Sequence, residues 1–286
     1  MENLPTLTEV VRLHGLAANK KLGQHFLLDM NVTDKIARLV TPAPNETIIE
    51  VGPGPGGLTR SLFKTGAENV VAVEMDERFL PALQDIGDAA DGTLTVINGD
   101  AVKIDWHAII PNPINGDVKI AANLPYNVGT KILINWLTSD PLFWSRAVLM
   151  FQKEVAERIA AQPGDKAYGR LAILSQSICD VDLSFVVPAK AFTPPPKVDS
   201  AVVFMEVKPP ARRYAHLKTL GEVTQAAFGQ RRKMLRRSLK SFAEKQGLNA
   251  EDWCASCDIN PQNRPEELPV DAFQKLTNYL IQNQTA

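Results

Sequence analysis

Short apolar runs alternate with longer amphipathic segments over the first 207 residues of the chain. The runs are continuous rather than alternating with polar residues, which is typical of strands covered on both faces of a parallel sheet. The spacing between them leaves room for crossover helices, so the pattern predicts an α/β, doubly wound fold. The predicted strands are residues 48–51, 70–74, 94–97, 119–122, 147–151, 183–187 and 201–207.

The strand pattern stops at Lys208-Pro209-Pro210, where two successive prolines interrupt regular structure. Beyond them the chain shows helical periodicity with polar breaks such as Asn260-Pro261, and no convincing strand. We therefore predict a larger α/β domain over residues 1–208 and a small all-α domain over residues 211–286. A chain of 286 residues is long enough for this arrangement.

The composition is that of a globular protein in water, with 45% hydrophobic and 22% charged residues. No apolar run reaches the roughly 18–20 residues that cross a bilayer, and the first 16 residues, which include Glu2 and Glu9, lack the apolar core of a signal peptide. Three cysteines give no disulfide framework, so we expect a cytoplasmic protein without a membrane partner. The net charge of −1 argues against a uniformly basic nucleic-acid binder, so any such contact requires a local patch.

A glycine-rich loop, E-V-G-P-G-P-G-G, occupies residues 50–57 after the first predicted strand. Glycines let the backbone approach a ligand closely, and Gly52, Gly54 and Gly57 satisfy the G-x-G-x-x-G pattern of dinucleotide-binding enzymes. Glu74 ends the second predicted strand about twenty residues later, where a carboxylate binds the hydroxyl pair of a ribose. The loop alone leaves NAD and S-adenosylmethionine both open as the ligand.

Two further carboxylates favour S-adenosylmethionine. Glu50 immediately precedes the glycines, where an acid can face the amino-acid end of a cationic ligand. Asp100 follows the third predicted strand, where its carboxylate can accept a hydrogen bond from an adenine amine. An NAD-dependent dehydrogenase requires neither acid. The set of Glu50, Glu74, Asp100 and Asn123, in this order along the chain, therefore favours S-adenosylmethionine over NAD, although Asp100 alone could be a turn or helix-cap aspartate.

The most informative segment is Asn123-Leu124-Pro125-Tyr126, which follows the fourth predicted strand. It places an amide, a rigid turn and an aromatic ring at the carboxyl end of a strand, where open α/β sheets bind their ligands. Asn123 and the Leu124 carbonyl can accept both protons of an exocyclic amine, and the Tyr126 ring can stack on a base. Pro125 fixes the backbone angle so that these groups converge. The alternative interpretation is a proline-terminated strand with a core tyrosine.

Five ordered motifs resemble those of the KsgA-type ribosomal RNA small-subunit adenine dimethyltransferases, and the match spans nearly the whole chain. Residues 21–27, K-L-G-Q-H-F-L, resemble the N-terminal cofactor-contacting loop of that family. Residues 50–57 resemble its glycine motif, and residues 123–126 resemble its catalytic motif. Residues 192–200, F-T-P-P-P-K-V-D-S, fit its F-x-P-x-P-x-V-x-S segment. Residues 229–233 resemble the start of its C-terminal RNA-binding region.

The resemblance implies a Rossmann-like, S-adenosylmethionine-dependent methyltransferase domain with a mostly parallel seven-stranded sheet, and a small C-terminal all-α domain. It assigns cofactor binding and catalysis to residues 1–208 and RNA binding to residues 211–286. Asn often stands at the position of His25 in the family, so the assignment there depends on a backbone contact. The residues that it assigns to S-adenosylmethionine are His25, Leu27, Gly52, Glu74, Asp100 and Asn123.

The adenine amine is a weak nucleophile because its lone pair is delocalised into the ring. Acceptance of its two protons by Asn123 and the Leu124 carbonyl would pull the nitrogen towards tetrahedral geometry and free the lone pair. The sulfonium methyl is already activated by the cofactor, so the protein must supply alignment, without a metal or a protein nucleophile. The base must be flipped out or lie in a loop, with Tyr126 and Phe192 stacked on its two faces. The predicted catalytic residues are Asn123, Leu124, Pro125, Tyr126 and Phe192.

Six cations lie within ten residues of the predicted helical domain: Arg231, Arg232, Lys233, Arg236, Arg237 and Lys240. At about 100° per residue, Leu235, Leu239 and Phe242 share one helix face, and the cations occupy an adjoining arc. No acids are interleaved with them, so we predict an amphipathic helix whose cationic stripe binds RNA phosphates. Lys20, Lys21 and Arg12 can extend this patch at the N-terminal end.

By the resemblance, the chain is expected to be a monomeric enzyme that uses S-adenosylmethionine to dimethylate N6 of two adjacent adenosines in a loop of 16S, small-subunit rRNA. Its expected partner is the small ribosomal subunit or its rRNA, and its expected role is ribosome biogenesis. The alternatives are an Erm-type enzyme that modifies large-subunit rRNA and a mainly non-catalytic ribosome-assembly factor. Cys254 and Cys257 form a lone C-x-x-C without the second ligand pair of a zinc site, so no metal is predicted.

Overall fold

The computed structural model describes residues 4–18, 24–110 and 117–284 of the chain. Lys20 and Lys21, and with them the first three residues of the predicted cofactor-contacting loop, lie outside these ranges. No helix in the described ranges is long and apolar enough to cross a membrane.

The chain divides into two compact units. The first comprises Met1–Ala156 and Asp182–Val207, and the second comprises Glu157–Val181 and Lys208–Ala286. The break after residue 207 lies beside the predicted boundary at residue 208, but the strand pattern assigns residues 157–181 to the first domain. They join the second unit because the helix Arg170–Ile178 buries its apolar side chains against helices that follow residue 208. The functions assigned to the two domains stay predictions.

Nine strands are present in the described ranges. In chain order they are β1 Phe26–Leu27, β2 Thr47–Val51, β3 Asn69–Glu74, β4 Thr93–Asn98, β5 Val118–Asn123, β6 Arg146–Gln152, β7 Cys179–Val187, β8 Phe192–Thr193 and β9 Ser200–Val207. Seven of them form a sheet in the order β4-β3-β2-β5-β6-β9-β7. The strands from β4 to β6 are parallel, and β9 runs antiparallel to β6. All seven predicted strands and the mostly parallel α/β fold are confirmed.

Helices connect the strands and cover the sheet of the first unit. The helices are α1 Leu7–Leu13, α2 Met30–Val40, α3 Gly57–Lys64, α4 Leu80–Ala89, α5 Trp106–Ile109, α6 Gly129–Leu137 and α7 Lys153–Ala160, the last four residues of which belong to the second unit. Ile36 of α2 and Leu62 of α3 are buried in one cluster with Ile48, Val148 and Val202 of the sheet. Burial of each such side chain stabilises the fold by about 1.5–3 kcal/mol, so the apolar runs that predict the strands also hold the helices in place.

A two-stranded antiparallel pair, β1 with β8, is a feature that the sequence pattern does not predict. Phe26 lies opposite Thr193, and Leu27 lies opposite Phe192. Strands of two residues have no measurable periodicity, so hydrophobic patterning cannot detect them. The pair matters for the site because it joins the described end of the predicted cofactor-contacting loop to the segment 192–200.

The second unit is helical, as predicted for the C-terminal region. Its helices are α8 Arg170–Ile178, α9 Leu217–Phe228, α10 Leu235–Ser238, α11 Lys240–Lys245, α12 Ala250–Ser256 and α13 Val270–Gln284. Leu235 and Leu239, two of the three residues on the predicted apolar face, are fully buried. Phe242, the third, is half-buried and stacks against Trp253. The Trp253 indole N–H donates to the Leu276 carbonyl, which ties α12 to α13.

The single amphipathic helix predicted over the cationic segment is wrong in extent. Residues 231–233 lie in turns, and the helical residues that follow are divided between α10 and α11. The first turn of α10 is hydrogen-bonded to a loop that is distant in sequence. The backbone N–H of Leu235 donates to the Asn263 carbonyl, and the backbone N–H of Arg236 donates to the Pro261 carbonyl. These contacts satisfy N–H groups at the start of a helix that no side chain caps.

Candidate active site

A cavity of about 370 Å³ opens at the carboxyl ends of the parallel strands. Gly52 follows β2, Glu74 ends β3 and Asp100 follows β4, and all three line the cavity. The strands are parallel, so their carboxyl ends lie at one edge of the sheet and bring together residues far apart in sequence. The predicted site residues that line this cavity are His25, Gly52, Glu74, Asp100, Asn123, Leu124, Pro125 and Tyr126.

A smaller cavity of about 50 Å³ shares His25, Gly52 and Asn123 with the larger one. Leu27 and Glu50 line this smaller cavity. The structure therefore brings all six residues predicted to bind a cofactor to two adjoining cavities. Their contact with a cofactor stays a prediction.

Glu74 is held in place by the glycine loop. Its two carboxylate oxygens accept hydrogen bonds from the backbone N–H groups of Gly54 at 3.0 Å and Asp76 at 2.8 Å. Gly56 shows why the loop needs glycine, because its φ is +85° and an added Cβ would lie 2.1 Å from the Ile86 side chain. Burial raises the pKa of the Glu74 carboxyl, although the backbone hydrogen bonds oppose this shift. The loop thus fixes a carboxyl group at the cavity wall.

Glu50 is more deeply buried, with an exposed fraction of 1%. The Thr59 hydroxyl on α3 donates to its Oε2 at 2.7 Å. Burial raises the pKa of the Glu50 carboxyl to about 8, and the neighbouring Glu74 acts in the same direction. Glu50 is therefore mostly protonated at neutral pH in the absence of a cationic ligand.

The pKa of Glu50 predicts how stability depends on pH. Below about pH 4.5 the carboxyl is protonated in the folded and the unfolded chain, so the stability that comes from its neutral form is fully present. As the pH rises from about 4.5 to 8, the unfolded chain ionises first, and the free energy of unfolding falls. Glu50→Gln should remove this part of the decline. Urea unfolding of both proteins without cofactor at pH 5, 6.5 and 8 tests this, and parallel pH profiles would contradict it.

The loop from Asn123 to Tyr126 leaves two acceptors free. The Leu124 N–H donates to the Met150 carbonyl at 3.2 Å, and the Gly129 N–H donates to the Pro125 carbonyl at 2.8 Å. The loop backbone is thus fixed between β5 and α6. Within the described residues, neither the Asn123 side-chain amide nor the Leu124 carbonyl makes a hydrogen bond. Both can accept protons from a ligand.

Tyr126 is held by a hydrogen bond at its hydroxyl group and by a neighbouring ring that stacks against its own ring. Its hydroxyl oxygen lies 2.6 Å from Ser200 Oγ. The His25 ring stacks against it with centroids 5.5 Å apart and an interplanar angle of 29°. His25 Nδ1 lies 2.8 Å from the Pro194 carbonyl, which can only accept, so Nδ1 carries a proton. Burial raises the pKa of the Tyr126 phenol, which keeps it neutral.

Phe192 is the predicted catalytic residue that the structure does not bring to the cavity. Its side chain is 3% exposed and packs in the core cluster with Leu27, Ile36 and Val202. A ring buried in this way does not line the cavity in the described structure, and the stacking of Phe192 on a base stays a prediction. Its pairing with Leu27 in β1–β8 is the reason for the burial.

Several residues that line the cavity were not identified by the sequence motifs, notably Met75, Val102, Lys103 and Lys131. Met75 is 59% exposed, which is unusual for methionine, and its position directly after Glu74 is the signal that could have identified it. Lys103 Nζ lies 3.6 Å from an Asp100 carboxylate oxygen, and the other oxygen accepts from the Val102 N–H. Asp100 is thus oriented by its own loop.

The six cations of the C-terminal region fall into two groups. In three ion pairs, Arg231 Nε lies 2.6 Å from Glu266, Arg236 Nη1 lies 3.3 Å from Glu251, and Lys240 Nζ lies 3.9 Å from Glu244. These three are the paired cations. Arg232, Lys233 and Arg237, the unpaired cations, make no ion pair with any described residue. Carboxylates outside residues 231–240 therefore oppose half of these cations, two of them from other elements and Glu244 from the same helix as Lys240.

The C-x-x-C cysteines are buried, free thiols. Burial raises the pKa of both Cys254 and Cys257, which disfavours the thiolate that binds metal. Among the described residues, no group of three or more His, Cys, Asp or Glu side chains is arranged to hold a metal ion.

Residues 15–282 of the chain match the family model described as Ribosomal RNA adenine dimethylase. The chain belongs to this family. The dimethylase is 51% identical over 276 residues to Ribosomal RNA small subunit methyltransferase A of Maricaulis maris (strain MCS10), an alignment that covers 96% of this chain and 95% of the relative. It is 50% identical over 281 residues to the protein of the same name from Cereibacter sphaeroides (strain ATCC 17023), with 98% of each chain covered.

Solved structures agree with this assignment. A dimethyladenosine transferase from Plasmodium falciparum superposes on the dimethylase with a TM-score of 0.76 at 26% identity, covering 91% of this chain and 98% of that one. The 23S rRNA methyltransferase ErmE shares the fold, with a TM-score of 0.67 at 21% identity over 90% of this chain and 99% of its own. The dimethylase is therefore an rRNA methyltransferase with the S-adenosylmethionine-binding fold of its family, and the predicted family and enzyme class are confirmed.

Proposed function

We propose that the protein transfers methyl groups from S-adenosylmethionine to N6 of two adjacent adenosines in a small-subunit rRNA loop. It acts in the cytoplasm as a monomer on the small ribosomal subunit or its rRNA, and it contributes to small-subunit biogenesis. The observation that carries this proposal is the pair of free acceptors at Asn123 and Leu124, which suits an exocyclic amine. The names of the relatives at 50–51% identity support the small subunit as the source of the substrate.

The two adjoining cavities fit S-adenosylmethionine by the chemistry of their lining. Asp100 retains acceptor capacity for an adenine amine, and Glu74 retains lone pairs for the ribose hydroxyls. The exposed apolar side chain of Met75 can cover the flat face of the adenine. Glu50, once ionised, balances the positive charge of the ligand. His25, Leu27 and Gly52 line the walls of the two cavities and provide the remaining contacts with the cofactor.

When bound, the cofactor supplies an electrophilic methyl group. The residues of the chain position the amine that attacks it. Asn123 Oδ1 and the Leu124 carbonyl accept the two amine protons, which moves the nitrogen lone pair out of conjugation and towards the methyl group. Tyr126 stacks on the base and sets its plane, with a stacking energy of about 1–3 kcal/mol. The proton lost after transfer leaves to water, so no residue is required as a strong base.

The proposal is tested by incubating the protein with radiolabelled S-adenosylmethionine and purified ribosomal subunits that lack the modification, followed by nucleoside analysis. We expect N6,N6-dimethyladenosine from the small subunit and none from the large subunit. Label in the large subunit alone would contradict the proposed substrate and favour the Erm-type alternative. Tight small-subunit binding without methyl transfer would favour the non-catalytic assembly factor.

A further inference from the structure

The segment 192–200 is anchored to the first unit at both ends. At its start, Phe192 is buried in the core and paired with Leu27. Near its end, the Asp199 carbonyl accepts from the Lys153 N–H at 2.9 Å, and the Asp199 carboxylate accepts from the Ala189 N–H at 2.9 Å. These anchors lie on separate elements, so the segment is held rigidly relative to the sheet.

Two groups of this anchored segment contact the rings beside the cavity. The Pro194 carbonyl accepts from His25 Nδ1, and Ser200 Oγ shares a hydrogen bond with the Tyr126 hydroxyl. Ser200 has an exposed fraction of 0%, and it begins β9 opposite Gln152 of β6. The hydroxyl that meets Tyr126 is therefore fixed by the sheet and shielded from water, so its bond to Tyr126 is not exchanged for one to solvent.

The angle of the Tyr126 ring determines where a stacked base places its amine. The free acceptors Asn123 and Leu124 lie in the same four-residue loop, so a tilt of the ring would move the amine relative to them. His25 stacks on the ring, and Ser200 holds its hydroxyl end. Small displacements of a reacting group are costly, because rate depends on alignment with the leaving group.

We propose that segment 192–200 is a brace for the target base, and that Ser200 is a positioning residue for methyl transfer. Ser200 acts through Tyr126 and touches neither base nor cofactor. In this proposal the brace fixes the orientation of the Tyr126 ring on which the base stacks. This inference rests on the proposed function, because it assumes that an adenine stacks on Tyr126.

The test uses Ser200→Ala, Tyr126→Phe and the double variant, with unmodified small subunits as substrate. Tyr126→Phe keeps the ring and removes only the hydroxyl. Each single variant should lower kcat about five- to tenfold, as expected for the loss of one hydrogen bond, with the Kd for S-adenosylmethionine and the affinity for small subunits unchanged. The double variant should be no slower than the singles, because all three lack the same bond.

Ser145→Ala is the matched control. Ser145 precedes β6, so it lies at the amino end of that strand, whereas Ser200 lies opposite its carboxyl end. The Ser145 hydroxyl donates to the Val118 carbonyl at 3.3 Å. This variant should retain wild-type kcat. Wild-type kcat in Ser200→Ala, or losses that multiply in the double variant, would overturn the inference. So would a parallel loss of cofactor affinity, since that indicates a structural role. A wild-type protein without activity on small subunits would instead refute the proposed function.

Discussion

Asn123→Ala is expected to lower kcat for methyl transfer about 10²–10³-fold, the size of effect seen when one preorganised polar group at a reacting centre is removed. The Asn123 amide is free in the described structure, so its loss breaks no hydrogen bond of the folded chain. Affinity for small ribosomal subunits should stay nearly unchanged, because binding by phosphate contacts does not use this loop. Single-turnover methylation and filter binding on the same preparations measure the two quantities.

The matched control is Asn69→Ala. Asn69 begins β3 at the amino edge of the same sheet and lines neither cavity. It should methylate at the wild-type rate. A parallel loss of subunit binding and methylation in Asn123→Ala would show that the residue binds rather than orients the substrate, and the proposed mechanism would be wrong.

Replacement of the three unpaired cations, Arg232, Lys233 and Arg237, by glutamine is expected to weaken RNA binding about 100-fold at 0.1 M salt. Each phosphate contact contributes about 0.7 to the slope of log affinity against log salt for single strands, so loss of three lowers the slope by about 2. A slope change of about 2 across the tenfold range from 1 M to 0.1 M salt is a loss of about 100-fold in affinity. Binding isotherms across a salt series measure both quantities.

The paired cations provide a control of equal charge. In Arg231, Arg236 and Lys240 the charge is already opposed by a carboxylate, so their replacement by glutamine should change RNA affinity much less. It should also cost some stability, since Glu266 loses its close partner. Equal losses of affinity in the two triple variants would contradict the distinction and indicate that the ion pairs open when RNA binds.

The parts of the fold that depend on long local patterns could be predicted from the sequence. The five central strands of the large sheet, β2, β3, β5, β6 and β9, are largely apolar runs, as burial on both faces requires, whereas the outer strands β4 and β7 are more exposed. The edge of the sheet at which ligands bind follows from parallel strand direction, so Glu74, Asp100 and Asn123 could be assigned to one cavity before their geometry was known.

The parts that depend on distant contacts could not be predicted. An aromatic residue before a proline run can face a cavity or the core, and only the pairing of Phe192 with Leu27 shows that its ring lies in the core cluster of the described structure. The start of α10 depends on carbonyls of Asn263 and Pro261, which local helical periodicity does not encode. Ser200 carries no motif of its own, and only its approach to Tyr126 gives it a role.

The protonated state of Glu50 has a consequence for turnover. A carboxyl with a pKa of about 8 adds no charge to the empty site at neutral pH, whereas a bound sulfonium would favour its ionised form. We therefore expect cofactor binding below pH 8 to release a proton, which titration calorimetry in two buffers of different ionisation enthalpy detects. Identical heats in both buffers would contradict this. After transfer the sulfur is uncharged, so we expect the spent cofactor to favour the ionised form of Glu50 less than the fresh cofactor does.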